Sequence, residues 1–133
     1  MTKWTLRFVI LAAFVLASAS LIQAHHSLAG VYALGKQAKV TGAFKAFRLV
    51  NPHTIMKIDV KDNDGKVVEW TFLGGSVAQI ARFGLKEGPN ALKPGDPITV
   101  TIVPALDGKS PVGLLSAITY ADGHTITFRS VDE

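Results

Sequence analysis

TIMKIDVKDNDGKVVEWTFLGG, residues 54–75, decides the fold. Successive side chains of a strand point to opposite faces, so its first half places Ile55, Lys57 and Asp59 on one side and Met56, Ile58 and Val60 on the other. Asn63-Asp64-Gly65 then makes a turn, because these residues tolerate positive φ. KVVEWTFLGG is the returning strand, in which Trp70 and Phe72 alternate with Glu69 and Thr71. That is the pattern of a half-buried strand, and it assigns both rings to the core rather than to a stacking platform.

Upstream, AKVTGAFKAFRLV (38–50) has strand composition, and Asn51-Pro52-His53 interrupts it. The residue before a proline is pushed to extended geometry, and Pro52 cannot donate to a ladder. Downstream, GGSVAQIARFG (74–84) predicts a short helix capped by Ser76 and ended by Gly84, with Val77, Ile80, Ala81 and Phe83 as its apolar face. A Gly- and Pro-rich loop, LKEGPNALKPGD (85–96), leads to the strand PITVTIVPAL, the turn DGKSP, the strand VGLLSAITYA and a short last strand in DGHTITFRS. Three strands in a meander, a helix and a hairpin give the order of an oligonucleotide/oligosaccharide-binding (OB)-like antiparallel β-barrel, mostly β. Order alone leaves an open sheet with one helix across it as the alternative. The expected buried face includes Val40, Phe44, Ile58, Val60, Trp70, Phe72, Ile80, Ile98, Val100 and Ile118.

The amino-terminal end reads differently. Lys3 and Arg7 precede fifteen uncharged residues, Phe8 to Ile22, and the small Ala24 suits the last position before a cleavage. The expectation is a signal peptide over 1–24, an extended arm over 25–37 and an OB-like domain over 38–133, exported to the periplasm. The apolar run is short for a spanning helix, which needs about 20 residues. An uncleaved anchor and a cut after Ala17-Ser18-Ala19 are the competing readings. Without the signal, the 14 basic residues fall to 12 against 10 acidic, a balance that argues against nucleic acid as a partner. The absence of cysteine excludes disulfides, thiolate metal sites and a cysteine nucleophile. No phosphate loop, dinucleotide fingerprint or nucleophile elbow occurs, and no enzymatic activity is expected.

The four histidines are His25, His26, His53 and His124. Cleavage after Ala24 makes His25 the first residue, so that its amine and imidazole can chelate one ion together. An α-amino group has a pKa of about 8, so a metal displaces its proton easily near neutral pH. His26 adds a second imidazole, and His53, at the bend before a strand, is the candidate to complete the site. All-nitrogen ligation suits Cu(II), which leads the divalent affinity order. The bland readings are a polar terminus, a His53 that bonds a neighbouring carbonyl to serve its turn, and a solvated turn residue at His124. DVKDNDG lacks the full calcium loop and reads as a solvated hairpin. The leading expectation is a metal-binding module with copper as cofactor. The rival is an adaptor that binds a small ligand or another periplasmic protein.

AHHS after the signal, the Asn-Pro-His, DVKDNDGKVVEWTFLGGS, LKPGD and ITYADG together resemble the exported bacterial domain-of-unknown-function 6152 family over nearly all of residues 24–124. The resemblance implies that His25, His26, Ser27, Asn51, Pro52, His53, Trp70, Gly74, Gly75, Pro94, Gly95 and Asp96 are pattern positions, and it implies no activity. Leu49-Val50 departs from the pattern, where an aromatic and a polar residue are usual. An amino-terminal histidine ligand is also similar to the arrangement in periplasmic copper carriers and copper polysaccharide monooxygenases, which have another fold.

Overall fold

A computed structural model describes Trp4, Thr5, Arg7 and residues 28–128. The expected signal peptide and its cleavage site fall mostly outside the described residues. The chain divides into two compact units, 1–31 and 32–133. In the first, the Arg7 guanidinium lies 6.0 Å from the Trp4 ring centroid, and the Val31 amide donates to the Leu28 carbonyl. No helix among the described residues is long and apolar enough to cross a membrane.

The second unit runs β1 (Ala38–Arg48), β2 (Ile55–Lys61), β3 (Val67–Leu73), α1 (Val77–Arg82), β4 (Pro97–Pro104), β5 (Val112–Tyr120) and β6 (Thr125–Thr127). The sheet order β3-β2-β1-β4-β5-β6 closes because β3 also pairs with β5. That contact is parallel and short, Thr71–Leu73 against Val112–Leu114. It decides between the two architectures left open by the strand order: the sheet is a closed five-stranded barrel, with β6 added along β5.

β1 makes closure possible. Its first half, Ala38–Ala43, pairs with β4, and its second half, from Ala43, pairs with β2 across a bulge between Phe44 and Ala46. A bulge bends its strand and sharpens the local twist, so one long strand can serve two walls. Gly42 sits where the walls converge: a Cβ there would lie 2.5 Å from the Asp59 carbonyl oxygen.

Alternation holds where it is strongest. Met56, Ile58 and Phe72 are fully buried, with Phe44, Ile80, Ile98, Val100 and Ile118 in the same cluster. Val40, Val60 and Trp70 are half-buried against that cluster rather than inside it. Two details differ from the sequence reading. Thr54 precedes β2 instead of opening it, and Ala81 is exposed, so α1 buries Ile80 alone. Leu85 and Leu92, in the loop after α1, are buried core residues joined by the bond from the Leu92 amide to the Leu85 carbonyl (3.0 Å). Tyr32 is 7% exposed and bridges Ala105 at the end of β4.

Candidate functional site

The link between β1 and β2 carries Asn51-Pro52-His53, with the Asn51–Pro52 bond cis. The segment docks on the end of β3 and the start of α1. Thr54 is fully buried. Its amide and its hydroxyl both donate to the Gly75 carbonyl, at 2.9 and 2.8 Å, and its carbonyl accepts from the Gly74 amide at 2.8 Å. Asn51 Oδ1 accepts from the Val77 amide at 3.3 Å. The adjoining cap is reciprocal: the Ser76 hydroxyl accepts from the Gln79 amide (3.3 Å), and Gln79 Oε1 accepts from the Ser76 amide (3.1 Å).

Both glycines of this joint are explained by close approach. A Cβ at Gly74 would lie 2.8 Å from Thr54 Oγ1, and one at Gly75 would overlap the Gln79 side-chain amide. LKPGD is also used by the fold. Asp96 Oδ2 accepts from the Lys93 amide (2.8 Å), Gly95 takes φ +97°, and the Gly95 amide and the Asp96 carbonyl bond the two sides of Phe44 at the β1 bulge. Trp70 packs on the core, with its ring 6.0 Å from that of Phe72.

One described side chain of the pattern stands apart. His53 is exposed, and its ring makes no hydrogen bond or ion pair among the described residues. The turn is served by Asn51 and Thr54 instead. His25 and His26, the other proposed ligands, lie outside the described residues. His124 occupies the β5–β6 turn, where Nδ1 is 2.6 Å from Asp122 Oδ1. Among the described residues no group of three or more histidine or acidic side chains is gathered as a metal requires. In the sequence Thr54 runs directly into the strand that follows, and its place between His53 and an apolar run is the one signal that sets it apart.

The outer face of β1–β3 is charge-paired. Lys45 Nζ lies 2.7 Å from Glu69 Oε2 and 3.3 Å from Asp59 Oδ1, and Lys57 Nζ lies 2.5 Å from Glu69 Oε1. Hydrogen bonds from Lys45 and Lys57 hold the Glu69 carboxyl down to about 2. On the opposite side of these strands, Trp70 and Phe72 pair with Ile58 and Met56 and turn inward.

The pairing order β1-β2-β3-β5-β4, with a helix between β3 and β4, defines the class: an OB-type barrel. A model described as a family of unknown function (DUF6152) matches residues 12–115, and the chain belongs to that family. Among solved structures, the mitochondrial single-stranded DNA binding protein Rim1 from S. cerevisiae is similar at 13% identity and TM-score 0.48, over 67% of this chain and 97% of that chain. No curated protein matches the chain.

Proposed function

We propose that the mature protein is a non-enzymatic, periplasmic metal-binding module for Cu(II), with His25 giving its amine and ring and His26 and His53 giving their rings. The observation that carries this reading is the idle His53 ring on an anchored bend. A ligand held by a rigid scaffold binds better than one on a loose loop. The fold uses the neighbouring pattern residues for packing, turns or caps and makes no such use of this ring.

The test uses protein purified from the periplasm. Amino-terminal sequencing should begin at His25. Cu(II) titration should then show one site, weakened in His53→Ala and weakened most when one residue is added before His25, because that removes the terminal chelate ring. Equal affinities in all three proteins would overturn the metal reading. The second reading, an adaptor, is favoured by Leu34 and Leu106, exposed at 50% and 61% near the Tyr32–Ala105 bridge; it predicts those equal affinities.

A further inference from the structure

We propose that Thr54 is the positioning residue of this site: its hydroxyl, bonded to the Gly75 carbonyl, fixes the backbone that presents His53. The inference rests on the reading of His53 as a metal ligand. Thr54 follows His53 directly and is held at three points, through its amide, hydroxyl and carbonyl, by Gly74 and Gly75. Two residues before it, Asn51 is tied to the Val77 amide. His53 therefore sits between two anchored neighbours while its own ring stays uncommitted.

The hydroxyl is not needed to satisfy the Gly75 carbonyl, which already accepts from the Thr54 amide at 2.9 Å. Nor is it needed to fill space, because valine has the same shape. Burying a hydroxyl costs desolvation that a methyl group avoids. Its place here is accounted for by direction: a second bond to one carbonyl fixes the side chain as well as the backbone. Gly74 keeps the necessary room, since a Cβ there would crowd Thr54 Oγ1 at 2.8 Å. A ligand ordered before binding loses less freedom on binding, which raises affinity without a new contact.

Thr54→Val and Thr54→Ser, made in the correctly processed protein, test this with two readouts. The first is the amide order parameter of His53 without metal. It should fall from a rigid value of about 0.85 to about 0.6 or below in Thr54→Val and return in Thr54→Ser. The second is Cu(II) titration, in which Thr54→Val should bind about tenfold more weakly and Thr54→Ser close to the parent. An unchanged order parameter in Thr54→Val overturns the proposal, as does copper affinity equal to the parent. A Thr54→Val chain that does not fold overturns it too, because the hydroxyl then serves the fold and not the site. A parent that binds no copper removes the metal reading, and the role assigned to Thr54 with it. That failure is separable, since the order parameters are measured on metal-free protein.

Discussion

Two bends of one barrel each carry a histidine and use it differently. At the β5–β6 turn, Asp122 Oδ1 accepts from the His124 amide (3.0 Å) and faces its Nδ1 (2.6 Å). The ring lies flat on Tyr120, with centroids 4.0 Å apart and planes 13° from parallel. Tyr120 is fixed in turn by its hydroxyl, which donates to the Asn90 carbonyl at 2.6 Å. At the β1–β2 bend, the residue two before the histidine is Asn51, and it turns away to the Val77 amide. The difference lies in what the residue at minus two does. An aspartate that folds onto its own turn captures the histidine, as short polar side chains commonly capture nearby backbone. An asparagine drawn to another element leaves the ring free. Two exposed histidines are therefore unequal as ligands.

The comparison assumes that both bends stand on one cooperative barrel. Phe72→Ala tests that with the largest expected effect, because the ring is fully buried. It should cost about 3–5 kcal/mol. Amide signals from His53 and His124 should be lost together on heating or in denaturant; separate transitions would break the premise. Gly74→Ala comes next. The added Cβ would meet Thr54 Oγ1 at 2.8 Å and Leu115 Cδ2 at 3.2 Å, a crowding that costs about 1–3 kcal/mol. Chemical shifts around His53 should move while those of residues 120–125 stay. Movement at both bends would show that they are not independent.

Much of the barrel was legible in the sequence because it rests on local pattern. Met56 and Ile58 alternate with Lys57 and Asp59, Trp70 and Phe72 alternate with Glu69 and Thr71, and Ser76 and Gly84 bracket α1, with Gly84 at φ +65° just beyond the Phe83 cap. Closure was not legible. It depends on three residue pairs between Thr71–Leu73 and Val112–Leu114, far apart in sequence, and no periodicity encodes a non-local register. Leu85 and Leu92 were hidden by the Gly and Pro around them, and Tyr32 by its single bridge. The site was legible as separate motifs. Asn51-Pro52-His53 and Gly74-Gly75 stood out, but their joining through Thr54 needed the β2–β3 register to place Ile55 beside Leu73.

A smaller effect sharpens the His124 side. The backbone amide of His124, and after it the ring, hold the Asp122 carboxyl below its ordinary value. A depressed carboxyl stabilises the fold above its unfolded pKa of about 3.9 and loses that contribution as pH falls through the lower folded value. Carboxyl titration by NMR should show Asp122 below the usual range. His124→Ala should bring it only part of the way back, because the backbone bond at position 124 remains. An ordinary titration in the parent would remove the capture on which the comparison depends.

The smallest expected effect is the most discriminating. His124→Ala should leave Cu(II) affinity unchanged, whereas His53→Ala should lower it at least tenfold. Pairing with Asp122 does not by itself exclude His124, since metal-bound histidines often give their second nitrogen to a carboxylate. It does commit one ring nitrogen, Nδ1, which lies 2.6 Å from Asp122 Oδ1, whereas the His53 ring makes no hydrogen bond or ion pair among the described residues. Binding to either histidine should weaken in acid, because ligands must be neutral, so pH dependence alone cannot separate them. The paired titrations at one pH can. Equal loss in the two variants would break the contrast between the two rings, and with it the assignment of His53 as the third histidine of the site.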